Sequence, residues 1–166
     1  MKEKNEVLIE AQLIADYKKL YRLAYSYVHN ENDALDIVQE SAYKAIKNSH
    51  SLKNPQYVGT WLYRIVINES ISFLRKHKQQ MVELYEADGE TEDQYTDFDL
   101  RQALNSLDPL DKTVVVLRFF EGMQLNQIAE AMDENLNTVK SRLYRSLKKL
   151  KLSLAKEGVE DRKSVV

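Results

Sequence analysis

Sharp turns are scarce in this sequence, and that limits its folds more than any other feature. Its 166 residues include only 4 Gly and 2 Pro, too few for the repeated chain reversals of an all-β fold. The long segments between them are rich in Leu, Ala, Lys, Glu and Gln, all good helix formers. Apolar residues make up 43% of the chain, enough to bury a core rather than stay disordered. The expected class is all-α.

Apolar spacing then divides the chain. Over Glu6 to His29, the residues Leu13, Tyr17, Leu20, Ala24 and Val28 recur at three- and four-residue steps, which stacks them on one helix face. Asn32 or Asp33 is placed to cap a second helix running to Lys47. Leu35, Val38, Ala42, Ala45 and Ile46 form its apolar side; Asp33, Asp36, Glu40, Tyr43, Lys44 and Lys47 form the other. Asn48 to Tyr57 reads as a loop, followed by a third helix over Gly59 to Lys78 with Leu62, Val66, Ile67, Ile71 and Phe73 on its apolar side.

Residues 79–99 carry eight acidic residues and no basic one. Self-repulsion and the lack of a buriable face predict an extended linker there. Beyond it, Asp108 is a good N-cap, Pro109 suits the first helical position, Asp111 favours the positive helix start, and Gly122 is a natural stop. These signals give two small helical domains, 1–78 and 107–155, joined by an acidic flexible linker (79–106) and followed by a tail (156–166).

The net charge of −2 hides a pattern. Residues 1–78 hold 12 basic against 9 acidic side chains, 79–108 hold 1 against 9, and 109–166 hold 11 against 8. Both domains are therefore mildly basic and the acidity sits between them, an asymmetry that points to an anionic partner. The chain has no Cys, and its three His (His29, His50, His77) are far apart, so no metal site, no disulfide and no cofactor is expected. It also lacks a Gly-rich phosphate loop and a GxSxG elbow, which argues against an enzyme. No apolar run reaches the roughly 18 residues of a membrane span, and the N-terminus does not resemble a signal peptide. A cytoplasmic protein is expected.

Residues 124–150 are the most informative stretch. A short helix over Leu125 to Met132 offers Ile128, Ala129 and Met132 to a core, and Asp133 to Leu136 forms a turn. A second helix starts near Asn137 or Thr138 and sets Val139 and Leu143 against the first, with small Ala129 at the crossing. This is a helix-turn-helix pattern. Between Asn137 and Lys151 lie six Lys or Arg and no acid. Asn137, Thr138, Lys140, Ser141, Arg142, Arg145 and Lys148 form an exposed face suited to the major groove, where Arg and Lys read guanine and Asn reads adenine. A basic helix merely closing a bundle is the plainer reading of charge alone.

The chain as a whole resembles the extracytoplasmic-function group of bacterial sigma factors. The resemblance rests on NDALDIVQESAYKAIKN and WLYRIVINESISFLRKHK in the first domain, and on LDPLDKTVVVLRFFEGMQLNQIAEAMDENLNTVKSRLYRSLKKL in the second. It implies a sigma region 2-like bundle, a region 4-like helix-turn-helix, and an alternative sigma factor for envelope or stress responses. It further implies that Asp33, Asp36, Gln39, Glu40 and Tyr43 dock on core RNA polymerase. Tyr57, Trp61, Arg64, Asn68, Arg75 and Lys76 would capture the promoter's minus 10 element, by stacking and phosphate contacts. For Trp61, core packing competes with that role. The helix from Asn137 would read the minus 35 element. Ser72, Asp133 and Gln124 depart from the residues common in the family. Implied partners are core polymerase, promoter DNA and an anti-sigma factor, often membrane-anchored. The competing function is a helix-turn-helix regulator that binds duplex operators without polymerase.

Overall fold

The structure is a computed structural model that describes residues 2–77, 100 and 102–157. Helix α1 (Lys2–Val28), α2 (Glu31–Lys47) and α3 (Val58–Lys76) form the first bundle, with 3-10 turns Ser49–Ser51 and Pro55–Tyr57 between the last two. A helical turn over 102–105 leads to α4 (Pro109–Val115), which runs on into a π turn, Val116–Phe120. Helices α5 (Leu125–Met132) and α6 (Leu136–Glu157) complete the second domain. Among the described residues there is no strand. Lys78, the acidic stretch 79–99 and the tail from 158 lie outside the described residues.

Local chemistry sets the boundaries. Asp108 caps α4 by accepting from the Leu110 N–H at 3.1 Å, with Pro109 first in the helix. Gly122, at φ +69°, ends the π turn, a conformation that favours residues without a Cβ. Two expected caps move by a few residues. Asn30, not Asn32 or Asp33, caps α2 by accepting from the Asp33 N–H at 2.8 Å. Asn135, not Asn137 or Thr138, caps α6 by accepting from the Thr138 N–H at 2.8 Å. In each case the earlier Asn reaches the third N–H of the helix, the usual capping geometry. Both helices therefore begin earlier than their sequences indicate.

The core is continuous across both domains. Leu20, Leu23, Ala24, Tyr27 and Val28 of α1, with Val38, Val66 and Ile67, share one apolar cluster with Val114, Leu117, Ile128, Val139 and Leu143. Tyr17, expected on the buried face of α1, is instead 46% exposed; it lies at the rim of that face, a step off the line through Leu20 and Ala24. Ala103 and Leu107 pack with Val115 and Leu150, so residues 102–106, read from sequence as the end of the linker, pack with the second domain that Leu107 opens.

Polar contacts cross the same boundary. Tyr27 donates its hydroxyl proton to Thr113 Oγ1, which itself donates to the Pro109 carbonyl at 2.8 Å. Burial raises the Tyr27 hydroxyl well above its ordinary pKa. Arg22 grips Glu121 through two hydrogen bonds, 3.3 and 3.1 Å. His29 Nε2 lies 2.7 Å from Asn105 Oδ1. Arg64 donates to the Glu130 carbonyl of α5 at 2.6 Å.

Candidate nucleic-acid interface

The helix-turn-helix is held at its bend by Asp133, whose φ of +57° is left-handed. Asp is among the few residues that tolerate that region without a large penalty, so glycine is dispensable there. The Glu134 N–H then returns to the Ala129 carbonyl at 3.0 Å. Ile128, Ala129, Val139 and Leu143 are buried where α5 and α6 cross. Leu147, by contrast, stays partly exposed while Ser146 is buried in its place. At the start of α5, the Gln124 N–H donates to the side chain of Gln127, the third residue of the helix, at 3.0 Å.

The cations of α6 divide into two groups. Arg142 donates from Nε and Nη2 to Glu134, both at 2.9 Å, and from Nη1 to Asp111 at 2.9 Å. Arg145 donates to Asp111 at 2.9 and 3.2 Å. Burial alone would raise the Asp111 carboxyl, but the hydrogen bonds from Arg145 and Arg142 outweigh it and hold the group below its usual range. The Glu134 hydrogen bond likewise raises Arg142. With its side chain 17% exposed, Arg142 ties the turn, α4 and α6 together. The sequence reading placed it on an exposed face; here it is mostly covered, and a guanidinium with both edges on carboxylates must break those bonds to reach a base.

The remaining polar side chains face outward. Asn137, Ser141, Arg145 and Lys148 are exposed, while Thr138 and Lys140 are half-buried. Tyr144 is 64% exposed, and sequence reading passed it over. Its signal was present: Tyr144 falls four residues from both Lys140 and Lys148 and off the buried line through Val139, Leu143 and Leu150.

In the first domain, Trp61 is half-buried against Ile9, Ala45, Leu52 and Leu62. It also borders two clefts. One, of about 500 Å³, is lined by Lys44, Asn68 and Glu69 among others; the second, of about 200 Å³, includes Asn54, Tyr57 and Arg64. Trp61 thus serves the core and a concave surface at once. Lys44 bridges to Glu69 at 2.7 Å across the larger cleft, and that bond raises the lysine pKa. Tyr57, Asn68, Arg75 and Lys76 are exposed. Arg64 is hydrogen-bonded to the second domain, and its enclosed Nε has no acceptor among the described residues.

On α2, Asp36, Gln39, Glu40 and Tyr43 are exposed and Asp33 is half-buried at the helix start. Tyr43 carries the Lys47 ammonium over its ring at 5.7 Å. Among the described residues Asp36 and Glu40 form no ion pair. No cluster able to hold a metal ion occurs among the described residues, and no described helix is long and apolar enough to cross a membrane.

Comparisons with known proteins agree with this architecture. Residues 13–80 match the family described as Sigma-70 region 2, and residues 97–150 match Sigma-70, region 4. The chain is similar to RNA polymerase sigma factor SigV of Bacillus subtilis, 47% identical over 88% of this chain and 91% of that protein. It is similar also to ECF RNA polymerase sigma factor SigW of the same organism, 30% identical over 87% and 88%. Two solved structures share the fold. The sigma factor RpoE of Bartonella quintana, in complex with the anti-sigma factor NepR, has a TM-score of 0.69 at 24% identity, covering 87% of this chain and 95% of that one. CnrH, in complex with the cytosolic domain of CnrY, has a TM-score of 0.68 at 19% identity, covering 93% and 99%. The chain therefore belongs to the sigma-70 superfamily, within the extracytoplasmic-function RNA polymerase sigma factors, alternative sigma factors that direct promoter-specific transcription initiation.

Proposed function

We propose that the two domains divide the work of initiation between polymerase binding with minus 10 capture and minus 35 recognition. The observation that carries this reading is the outward face of α6, where Asn137, Lys140, Ser141, Tyr144 and Lys148 stand clear of the buried seam formed by Val139 and Leu143. A helix so seated enters the major groove, where a good bidentate side chain–base contact contributes about 1–3 kcal/mol of discrimination. Arg142 acts as a brace for that helix, and Arg145 shares its charge between Asp111 and the DNA backbone.

In the first domain, the outward face of α2 (Asp33, Asp36, Gln39, Glu40, Tyr43) docks on core polymerase. Trp61, Tyr57 and Asn68, beside their clefts, receive unstacked minus 10 bases, and Arg75 and Lys76 hold phosphates. Stacking contributes about 1–3 kcal/mol per base. Arg64 joins them once α5 withdraws from α3, so promoter engagement separates the domains. The chain acts in the cytoplasm under envelope stress, restrained until then by a membrane-anchored anti-sigma factor. The fold relative RpoE, bound to the anti-sigma factor NepR, supports such a partner.

The test is run-off transcription with purified chain, core polymerase and a promoter library. A promoter-dependent transcript is expected only when both are present. Tight binding of the chain alone to duplex, with no transcript in the full mixture, would replace this reading with that of a polymerase-independent regulator.

A further inference from the structure

Asp111 puts a negative charge directly against the cationic helix α6. It lies in the first turn of α4, is 6% exposed, and accepts hydrogen bonds from two arginines. Arg145 donates to it from Nε at 3.2 Å and from Nη2 at 2.9 Å. Arg142 donates to the same Oδ1 from Nη1 at 2.9 Å, and is itself fixed by Glu134 through Nε and Nη2. The four side chains form one unbroken line, from Glu134 in the helix-turn-helix bend through Arg142 and Asp111 to Arg145 at the surface.

The two arginines end differently. A guanidinium is flat, with five N–H donors arranged in forks. Arg142 commits its Nε–Nη2 fork to Glu134 and its Nη1 to Asp111, and its side chain is 17% exposed. Arg145 commits only the Nε–Nη2 fork. Its side chain is 59% exposed, and no hydrogen bond among the described residues uses the fork at its Nη1–Nη2 end. That end carries two parallel N–H donors, the geometry that grips two oxygens of one phosphate. A bidentate contact on one edge also fixes the plane of the group, so the free end is aimed rather than loose. An exposed ion pair by itself stabilises little, and Arg142 already ties α4 to α6.

Position along the helix favours a phosphate over a base. A helix entering the major groove meets base edges through its N-terminal residues. Arg145 stands nine residues beyond Leu136, the first of α6. That is about 14 Å along the axis, more than the groove width of about 12 Å. Its free end falls level with the backbone at the groove's edge.

We propose that Asp111 is a positioning residue for promoter binding: holding one edge of Arg145, it aims the other at a single backbone phosphate. A buried acid thereby strengthens the hold on a polyanion. The proposal rests on the assignment of α6 to the minus 35 element above.

The experiment measures the affinity of holoenzyme for the most active promoter of the run-off library, with wild type, Asp111→Asn, Arg145→Ala and the double variant. Loss of an acid close to DNA, acting through charge alone, tightens binding. Positioning has the opposite sign: Asp111→Asn should weaken binding about fivefold. Arg145→Ala should weaken it as much and flatten the dependence of log affinity on log salt by about one unit. Once Arg145 is gone, Asp111→Asn should cost nothing further. Three results overturn the proposal: Asp111→Asn leaving affinity unchanged or raising it; equal weakening with and without Arg145, the mark of a brace acting through Arg142; or an unchanged salt slope in Arg145→Ala. If Asp111→Asn does not fold, Arg145→Lys at its exposed position decides. Lysine keeps the charge and the salt slope, but cannot give one edge to Asp111 and another to a phosphate. Affinity should fall about threefold, and full affinity overturns the proposal. An active promoter with any of these contrary results removes the positioning role alone, whereas a library without one removes the sigma reading and this role with it.

Discussion

The outward face of α2 and the second helix of the helix-turn-helix, α6, both display charge, yet they are built in opposite ways. On α2, Asp36 and Glu40 stand exposed without an ion pair among the described residues. On α6, Arg142 and Arg145 are bound to Asp111 and Glu134 of their own domain, and Lys149 donates to the Ser106 carbonyl at 3.0 Å. A run of one sign of charge in sequence therefore mixes two kinds of side chain. Those bonded within their own domain hold the helix in place; those without such a bond are free for another molecule. The partner, not the sign, separates a brace from a reader.

The largest effect expected from this difference is at Arg142. Arg142→Ala leaves Glu134 partly enclosed without its counter-ion and Asp111 with Arg145 alone, and should lower stability by about 2 kcal/mol. Thermal unfolding should then show a midpoint lower by roughly 6 °C; an unchanged midpoint with lost DNA binding would make Arg142 a reader after all. Next in size is Glu40→Lys, which places a cation on an open acidic face. It should weaken association with core polymerase about tenfold with no change in unfolding, and equal affinity in a pull-down would break the assignment of α2. Smaller again is Lys148→Ala. Holoenzyme affinity for minus 35 duplex should fall roughly threefold, and the dependence of log affinity on log salt should flatten by about one unit. If Lys148 is a brace, that slope stays as it was and stability drops instead.

Much of this is legible in the sequence. Asp108 and Pro109 mark the start of α4 because both act through the helix end itself, and Val139 and Leu143 mark the seam of α6 because burial follows the helical period. The polar face of α2 was readable on the same grounds. What escaped the sequence depends on residues far apart along the chain. Asp111 reads as a favourable charge at a helix start; it is the anchor for arginines 31 and 34 residues away. Tyr27 meets Thr113 across 86 residues, and no periodicity encodes that pairing. The cap of α2 was ambiguous for a different reason: Asn30, Asn32 and Asp33 can all cap, and only the reach of one side chain to the Asp33 N–H decides between them.

We predict that the two domains, closed on each other through Tyr27, Arg22 and Arg64, separate when polymerase takes up the chain. Because the sequence has no cysteine, N32C and K151C at exposed positions give clean sites for a donor and an acceptor dye. Energy transfer between them should be high in the isolated chain and fall when core polymerase and promoter DNA are added. Transfer that stays equally high in a transcribing complex would contradict it.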